Sequence, residues 1–468
     1  MKNPIEKKTV PMRQLEVSER IKNFEEVPLG YSQEEALREA SRCLQCPSRP
    51  CVKGCPVMID IPGFIKAIKD KDFQRSIDIL HESDTLPAVT GRVCPQEEQC
   101  QLKCVLAPSG EPISIGRLER FVSDWDLRNR KNLPGVEAHS IASQSKAVAV
   151  VGSGPAGLAA AADLSKYGYR VTVYEGFHKF GGVLVYGIPE FRLPKEIVSY
   201  EIEFLKRLGV VFEANVLIGR AQTIPELFAA GFDAVFIAAG AGLPKFMGIR
   251  GENLNGVYSS NEFLTRVNLM KAYRFPEYDT PVKKGERVAV IGGGNVAVDA
   301  ARTALRLGAK TVYLIYRRSE KEMPAREEEI LRAKEEGIIF YLLTNPVSYI
   351  GDARGFVKAV QCVKMELGQP DTSGRASPFA VQGSDFILSV DEVIVAVGTT
   401  PNPILSRTTP GLNIKRHGEI EVDASGRTSL HGVFAGGDIV TGAATVITAM
   451  GAGRRAAAAI DEYLKGKK

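Results

Sequence analysis

The sequence predicts an α/β protein in which a helical, cysteine-rich N-terminal domain precedes two Rossmann-like domains. Two observations lead to this fold class. Seven of the eight cysteines lie within residues 43–104. Two stretches, beginning at Lys146 and Glu286, each run from an apolar strand through a glycine turn and a helix to a second apolar strand. That order of segments is typical of a βαβ unit.

Composition and charge exclude some classes of protein. The chain has 468 residues, which is enough for about two to four domains. Its 60 Lys and Arg against 55 Asp and Glu give a net charge of +5, which does not indicate binding to nucleic acid or to an acidic membrane. The N-terminal segment lacks the apolar core of a signal peptide, and no run of 18 apolar residues occurs. We therefore expect a cytoplasmic protein, in which clustered cysteines more often bind metal or do redox chemistry than form disulfides.

The first glycine turn follows the strand KAVAVV and reads GSGPAG. Its glycines allow a tight turn and close approach of backbone N–H groups to a pyrophosphate, and the helix N-terminus favours the anion. Glu175 ends the second strand, where a carboxylate can accept ribose hydroxyls. The alternative is a tight βα turn without a ligand. The predicted nucleotide contacts are Gly152, Gly154, Pro155, Ala156, Gly157 and Glu175.

This unit resembles the FAD site of the flavoproteins that bind two dinucleotides. The second flavin motif of that family is matched by the segment GVFAGGDIVTGAATVITAMGAGRRAA. The loop beside the isoalloxazine is matched by KFGGVLVYGIPEFRLP, with a plain surface loop as the alternative. The resemblance implies that a carboxylate meets the ribityl or phosphate region and that a helix N-terminus faces the N1/O2 edge of the flavin. The implied FAD contacts are Gly181, Gly182, Gly187, Gly437, Asp438, Thr445 and Val446.

The second glycine turn reads GGGNVA and follows the strand ERVAVI. No acidic residue ends its second strand, because TVYLIY runs directly into Arg317 and Arg318. A carboxylate there accepts the 2′-hydroxyl of NAD, whereas arginines suit a 2′-phosphate, so we expect NADP(H). The alternatives are a solvated strand end and, for Arg326, a helix-surface arginine. The predicted contacts are Gly292, Gly294, Asn295, Val296, Arg317, Arg318 and Arg326.

The clustered cysteines offer an exit for electrons from a reduced flavin. The predicted flavin loop contains no cysteine and Cys362 is alone, so a disulfide acceptor beside the flavin is not expected. A flavin can convert one hydride into two single-electron steps. Iron–sulfur clusters take thiolate ligands, commonly with a proline after the last cysteine, and both Cys55 and Cys94 precede proline. Zinc and disulfides are the alternatives.

The cysteine spacing resembles a cluster domain shared by three families. They are the glutamate synthase small subunit, the N-terminal part of dihydropyrimidine dehydrogenase, and the large subunit of NADH-dependent reduced ferredoxin:NADP oxidoreductase. The resemblance covers essentially the whole chain and implies two [4Fe–4S] clusters. One is expected on Cys43, Cys46, Cys51 and Glu119, and the other on Cys55, Cys94, Cys100 and Cys104. Glu119 aligns with a glutamine ligand of dihydropyrimidine dehydrogenase, and the alternative is a solvated helix glutamate.

The order of the motifs predicts how the domains follow one another. The first flavin motif precedes the NADP(H) motif and the second flavin motif follows it, so the NADP(H) domain is inserted in the FAD domain. The segments IAAGAGLP and IVAVGTTPN resemble the two crossing segments. We expect a helical [4Fe–4S] cluster domain at 1–140, an FAD-binding domain at 141–250 and 399–468, and an NADP(H)-binding domain at 251–398.

These cofactors indicate an electron-transfer subunit that needs a partner, and the resemblance implies two interpretations. In the favoured one, each electron pair from NADPH is split. One electron goes through the clusters to ferredoxin and the other to a small FAD/[2Fe–2S] subunit that reduces NAD. In the alternative, a glutamate synthase small subunit feeds a large subunit that makes glutamate from glutamine and 2-oxoglutarate. A binding module that keeps cofactors only for stability is a third reading. No catalytic side chain is expected, because hydride transfer is mainly cofactor chemistry.

Overall fold

The computed structural model describes residues 6–129, 145–371 and 374–466. The strands are, in chain order, β1 (Arg13–Gln14), β2 (Pro28–Gly30), β3 (Ala147–Val151), β4 (Arg170–Tyr174), β5 (Val211–Glu213), β6 (Ala234–Ile237), β7 (Leu243–Pro244), β8 (Val257–Ser259), β9 (Arg287–Ile291), β10 (Thr311–Ile315), β11 (Ile339–Tyr341), β12 (Thr344–Gly351), β13 (Val357–Pro370), β14 (Ala376–Ala380), β15 (Phe386–Ser389), β16 (Glu392–Val395), β17 (Thr399–Thr400) and β18 (Val433–Ala435). The α-helices are α1 (Val17–Arg20), α2 (Gln33–Ser41), α3 (Pro50–Lys53), α4 (Ile61–Lys69), α5 (Phe73–Ser83), α6 (Pro87–Val93), α7 (Ile115–Asn129), α8 (Pro155–Lys166), α9 (Val183–Tyr186), α10 (Lys195–Arg207), α11 (Ile224–Ala229), α12 (Ser260–Asn268), α13 (Asn295–Arg306), α14 (Glu327–Glu335), α15 (Ile404–Thr408), α16 (Asp438–Thr441) and α17 (Val446–Gly466).

The N-terminal domain is helical, as the sequence predicts. Ser32 begins α2 with a capping box that Glu35 completes, and Asp60 and Asp72 accept backbone N–H bonds at the starts of α4 and α5. These caps fix where the helices begin, so the cysteine loops between them have defined ends. Across the described parts of the chain, no helix combines the length and apolar character needed to cross a membrane.

Two five-stranded parallel sheets form the Rossmann-like domains. The first has the order β18-β6-β3-β4-β5, and the second has the order β11-β10-β9-β16-β8. At the two glycine turns the backbone has positive φ, 108° at Gly152 and 142° at Gly292. A Cβ there would lie 2.5 Å from the carbonyl oxygen of Ala238 and 2.4 Å from that of Ala396, respectively. Only glycine fits either position, and the predicted α/β fold class with two βαβ units is confirmed.

The chain enters and leaves the second Rossmann-like domain through one short antiparallel pair. Strands β7 and β17 pair there, with Leu243 opposite Thr400 and Pro244 opposite Thr399. All strands of the second parallel sheet lie between these two strands in the chain. The second sheet is therefore inserted between β6 and β18 of the first.

An antiparallel sheet that the sequence analysis did not predict lies between β11 and β16. Strand β13 pairs with β12, β14 and β15, all antiparallel. Its strands have no glycine-rich motif and no strict alternation, so nothing in the pattern distinguished them from the parallel strands nearby.

The hydrophobic core runs without a break from the N-terminal domain into the first Rossmann-like domain. Helix α17 packs along α8, and a Cβ at Gly453 would lie 2.2 Å from the carbonyl oxygen of Ala156. Farther toward its N-terminus, a Cβ at Gly451 would lie 2.8 Å from the carbonyl oxygen of Pro56. Pro56 follows Cys55, so the start of α17 is held against the cysteine loops.

Candidate functional site

Two cavities in the N-terminal domain are lined by the predicted cluster ligands. Cavity 1 is lined by Cys43, Cys46, Cys51 and Cys104, with apolar residues around them. Cavity 2 is lined by Cys55, Cys94, Cys100 and Glu119, with Thr90, Gln96, Gln99 and Ile447. Among the described residues, no three His, Cys, Asp or Glu side chains stand close enough to hold one metal ion.

The two cavities divide the predicted ligands differently from the expected assignment for two residues. Cys104 lies at cavity 1 and Glu119 at cavity 2, the reverse of the expected assignment. The reason is the close packing of α6 on α7, where a Cβ at Gly91 would lie 2.7 Å from the backbone nitrogen of Arg120. Helix α6 ends directly before Cys94, so this contact brings Glu119 to the cavity that Cys94 lines.

The buried thiols are weak acids on their own. Burial raises the pKa of Cys51 and of Cys55 to about 11. Burial, and then the charge of Glu119, also hold the pKa of Cys94 well above its ordinary value. Because the thiolate is the form that binds metal, each cavity needs positive charge to offset the cost of ionising its cysteines. The irons of a [4Fe–4S] cluster supply that charge, and the donors of both cavities fit such a cluster.

Glu119 is 4% exposed, so the alternative of a solvated helix residue is wrong. Its carboxylate contacts the hydroxyl of Thr90, and this hydroxyl also lies 2.6 Å from Oδ2 of Asp84. Burial, and then the charge of Asp84, raise the pKa of Glu119 well above its ordinary value. A carboxylate buried in this way is costly unless a cation neutralises it. Its chemistry therefore fits the fourth ligand position of cavity 2.

Three isoleucines connect the sites, and the sequence analysis did not single them out. Ile61 and Ile115 line both cavities. Ile447 lines cavity 2 and directly follows Thr445 and Val446, the two residues expected at the flavin edge. The sequence signal was that adjacency, but it becomes informative only when the start of α17 is found packed against the cysteine loops.

The first glycine turn and Glu175 come together. The Glu175 carboxylate accepts from the backbone N–H groups of Ser153 at 3.1 Å and Phe177 at 3.0 Å. A Cβ at Gly154 would meet no atom within 4 Å, so the second glycine of the motif faces open space. That is the arrangement which lets a pyrophosphate approach the backbone at the start of α8.

The predicted flavin loop packs onto this turn. A Cβ at Gly182 would lie 2.9 Å from Cα of Gly154. Nζ of Lys195 donates to the carbonyl oxygens of Ile188 at 2.6 Å and Leu193 at 2.7 Å, and burial lowers the pKa of Lys195 to about 8. A loop anchored in this way is not the plain surface loop of the alternative. The flavin contacts themselves stay a prediction.

The second flavin motif meets the same region. A Cβ at Gly437 would lie 2.9 Å from Cβ of Ala156, which brings Asp438 close to the first glycine turn. Burial raises the pKa of Asp438 to about 6. The N–H of Thr445 donates to Oγ1 of Thr448 at 3.0 Å, and the N–H of Thr448 donates back to Oγ1 of Thr445 at 3.3 Å. These reciprocal bonds fix the start of α17.

The second glycine turn is equally open. A Cβ at Gly294 would have only Pro324 within 4 Å, at 3.8 Å. Asn295 begins α13, and the side chain of Val296 is 45% exposed. The N-terminus of α13 is therefore accessible to a pyrophosphate.

Of the two arginines at the end of β10, only Arg317 is exposed. Arg318 is buried, with Nη2 2.6 Å from Oδ2 of Asp371 and Nε 2.8 Å from the carbonyl oxygen of Ala376. Its guanidinium is therefore already bonded to residues of the antiparallel sheet and of the loop beside it. The structure therefore argues against the predicted contact of Arg318 with a 2′-phosphate, because its charge is neutralised by a partner that the sequence pattern did not reveal.

Arg326 joins two domains. Its Nε lies 3.2 Å from Oε1 of Glu97 and its Nη1 lies 3.2 Å from the carbonyl oxygen of Arg92, both in the N-terminal domain. Its backbone N–H donates to Oδ1 of Asn295 at 3.1 Å. At 8% exposure it is not the helix-surface arginine of the alternative, and its contact with the nucleotide stays a prediction.

The chain matches two families of known proteins. Residues 20–131 match dihydropyrimidine dehydrogenase domain II, 4Fe-4S cluster, and residues 146–453 match pyridine nucleotide-disulphide oxidoreductase. The chain is 42% identical over 439 residues to the NADP(+)-dependent formate dehydrogenase subunit beta of Moorella thermoacetica, covering 89% of this chain and 60% of that one. It is 35% identical over 458 residues to the glutamate synthase (NADPH) small chain of Azospirillum brasilense, covering 96% and 93%. Its fold is similar to that of Mycobacterium tuberculosis FprA in complex with NADPH, with a TM-score of 0.58 at 22% identity, over 69% of this chain and 85% of that one.

The fold and the paired sites define an NADP(H)-dependent iron–sulfur flavoprotein oxidoreductase, with FAD, NADP(H) and [4Fe–4S] clusters as its cofactors. The chain belongs to the pyridine nucleotide-disulphide oxidoreductase family and, within it, to the group that contains the glutamate synthase small chains. The family resemblance and the cofactors expected from the sequence are thereby confirmed. The chain spans 60% of the length of the formate dehydrogenase subunit.

Proposed function

We propose that the chain is the NADP(H)-linked subunit of an electron-bifurcating complex. It passes electrons from NADPH by way of its FAD site and two cluster sites to ferredoxin. A small FAD/[2Fe–2S] subunit takes the other electron of each pair and reduces NAD. In the balanced and reversible reaction, two NADPH, two oxidised ferredoxins and one NAD⁺ give two NADP⁺, two reduced ferredoxins, one NADH and one proton.

The observation that carries the proposal is the order of the sites. Thr445 stands at the expected flavin edge, and Ile447, two residues on, lines cavity 2. Ile61 and Ile115 form a wall common to cavities 2 and 1. The flavin site, cavity 2 and cavity 1 thus follow one another, with apolar side chains between them.

Cavity 1 is the end of this path nearest the surface. Leu44, Leu102 and Val105, beside its cysteines in the chain, are 44%, 59% and 44% exposed. Lys103, which follows Leu102, and Lys53, two residues after Cys51, are exposed as well. An apolar area flanked by basic residues suits the docking of an acidic protein partner, and charge of this kind speeds the encounter. This surface supports ferredoxin as the acceptor.

Bound FAD and clusters supply the conversion of a hydride from NADPH into single-electron transfers. The chain supplies binding and position. The N-termini of α8 and α13 face the two pyrophosphate positions, and Arg317 is the exposed cation for a 2′-phosphate. Glu119 and the seven clustered cysteines are the proposed cluster ligands, in the division that the two cavities give.

A second candidate function is that of a glutamate synthase small subunit. It is favoured by the alignment that covers 93% of the Azospirillum brasilense small chain. The same path would then end at a large subunit that makes glutamate. A binding module without electron transfer is not favoured, because three sites in sequence form a path that binding alone does not need.

Anaerobic affinity purification from the native host, followed by mass identification of the partner, tests the proposal. A small iron–sulfur flavoprotein supports bifurcation, and NADPH oxidation should then yield two reduced ferredoxins for each NADH. A glutamate synthase large subunit, or a formate dehydrogenase subunit, would overturn it. Failure of NADPH to bleach the flavin anaerobically would reject electron transfer altogether.

A further inference from the structure

A buried ion-pair network joins the three domains at the C-terminal end of the predicted flavin loop. Nη1 of Arg192 lies 2.8 and 2.7 Å from the two carboxylate oxygens of Asp299, in α13 of the NADP(H) domain. Nε of Arg192 lies 3.5 Å from Oε2 of Glu329, in α14. The three side chains are 7%, 4% and 2% exposed, so solvent ions screen these pairs little.

The network continues into the N-terminal domain. Arg302 of α13 contacts Glu329 and also donates from Nη2 to Oε1 of Glu336 at 2.8 Å. Nη1 of Arg306 donates to the other oxygen of Glu336 at 2.8 Å. Nε of Arg20, at the end of α1, donates to Oε1 of Glu336 at 3.0 Å. One buried carboxylate is thus shared by the NADP(H) domain and the N-terminal domain.

Phe191 packs at the same contact between the flavin loop and the two neighbouring domains. It is fully buried, and its carbonyl oxygen accepts from the backbone N–H of Val27 at 3.0 Å. The guanidinium groups of Arg306 and Arg302 lie 4.0 and 4.8 Å from the centre of its ring. The last residues of the predicted flavin loop are therefore in contact with both neighbouring domains.

The charges in this network depend on one another. Burial by itself would raise the pKa of Glu329, but the guanidiniums of Arg192, Arg302 and Arg332 hold it below its ordinary value. A buried charge that loses its partner is strongly destabilising. A rotation of the NADP(H) domain that separated Asp299 from Arg192 would take the Arg192 guanidinium away from Asp299 and Glu329, and Asp299 would keep only the charge of Arg302, on its own helix. The network therefore favours a single orientation of the two domains.

We propose that the Arg192–Asp299 pair is the positioning contact for hydride transfer: it fixes α13, whose N-terminus faces the bound nucleotide, against the flavin loop. The NADP(H) domain then works in one fixed orientation. This inference rests on the proposed electron transfer from NADPH to FAD and names the residues that set its geometry. Arg192 and Asp299 act through the loop and the helix, so they are positioning residues.

The substitution Asp299→Asn keeps the shape of the side chain and removes its charge. A displacement of about 1 Å can slow a transfer reaction about a hundredfold, so we expect flavin reduction by saturating NADPH to slow about tenfold or more in anaerobic stopped flow. The apparent Kd for NADPH should change less than about threefold, because the nucleotide contacts remain. The NADP⁺–flavin charge-transfer absorbance, which reports stacking of the two rings, should weaken.

Two control variants separate positioning from general damage. Asp299→Glu keeps the charge and should restore most of the rate and of the charge-transfer absorbance. Glu286→Gln removes an exposed ion pair with Lys310 in the same domain and should behave as wild type. An unchanged limiting rate and charge-transfer absorbance in Asp299→Asn, at full flavin and iron content, would overturn the inference.

If Asp299→Asn does not fold, hydrogen–deuterium exchange of the wild-type holoenzyme tests whether the two domains keep one orientation. Unchanged protection of residues 187–192 and of α13 on addition of NADP⁺ supports the fixed orientation. Faster exchange in both segments on NADP⁺ addition overturns it. If NADPH did not reduce the flavin of the wild type, the proposed electron transfer would be wrong. The exchange experiment would still test whether the ion-pair network holds the domains in one orientation.

Discussion

Glu119 and Cys104 line different cavities, and substitution of single residues tests this. We expect Cys104→Ser to alter the same cluster as Cys51→Ser, and Glu119→Ala to alter the same cluster as Cys94→Ser, because each pair shares a cavity. Low-temperature EPR of the reduced protein distinguishes the two signals. A lost cysteine should cost about half of the bound iron, whereas loss of Glu119 should mainly shift the potential of its cluster.

The reverse result would restore the division that the sequence predicted. If Glu119→Ala changed the signal that Cys51→Ser changes, the cavities would not correspond to the bound clusters. Glu98→Gln is a matched control, since this residue lies in the same domain but is exposed. Both signals should be unchanged in that variant.

The stability of the protein should depend on pH through one residue in particular, Glu392. Burial raises its pKa to about 7; one carboxylate oxygen accepts from the N–H of Gly285 at 2.7 Å, and the other has no hydrogen-bond partner within the described chain. A carboxyl with a higher pKa in the folded than in the unfolded chain binds more protons when folded, so stability decreases as the pH rises from about 4.5 to about 7. Between pH 6 and pH 8 the wild type should lose roughly 1 kcal/mol relative to Glu392→Gln.

Anaerobic denaturant unfolding of both proteins at pH 6 and pH 8 measures this difference. Glu286→Gln serves as the control, because its ion pair with Lys310 lowers the pKa of Glu286, which therefore stays charged over this range. Equal pH dependence of Glu392→Gln and wild type would contradict the assignment.

At the scale of elements, the sequence predicts best what a local backbone demands. The turns at Gly152 and Gly292 were predictable because a strand, a tight turn and a helix in succession need glycine there. The cavity of Glu119 was not, because it depends on how α6 packs against α7. The partners of Arg318 and Arg326 come from a distant sheet and from another domain, so the spacing of residues in the sequence could not predict them. The antiparallel sheet was not predicted, because its strands carry no local motif.

The two arginines at the end of β10 should have different roles, Arg317 in nucleotide binding and Arg318 in stability. Arg317→Ala should weaken NADPH binding about tenfold and reduce the preference for NADPH over NADH, because an exposed cation for the 2′-phosphate is lost. Arg318→Ala should leave that preference unchanged and lower stability by about 1–3 kcal/mol, because Asp371 loses its buried partner. Titrations with both nucleotides and denaturant unfolding measure the two effects. Loss of NADPH preference in Arg318→Ala alone would reverse the assignment.

At the scale of the whole molecule, a shared core and buried ion pairs join the three domains. The core is continuous from the N-terminal domain to α17, and Glu336 binds arginines from two domains. The sequence predicted the domains as separate units because each motif is local. Their union depends on apolar and ionic contacts between residues far apart in the chain.

The proposed order of the sites makes the two clusters unequal in their access to electrons. Loss of the cluster of cavity 2 by Cys94→Ser should prevent NADPH from reducing the remaining cluster, because in the proposed path cavity 2 comes between the flavin and cavity 1. Loss of cavity 1 by Cys51→Ser should leave NADPH reduction of flavin and of the other cluster intact but abolish reduction of an external ferredoxin. Freeze-quench EPR after NADPH addition follows each step. Dithionite, a small reductant, should still reduce the surviving cluster in both variants, which shows that the cluster is present. If NADPH reduced the cluster of cavity 1 at the wild-type rate in Cys94→Ser, electrons would not pass through cavity 2.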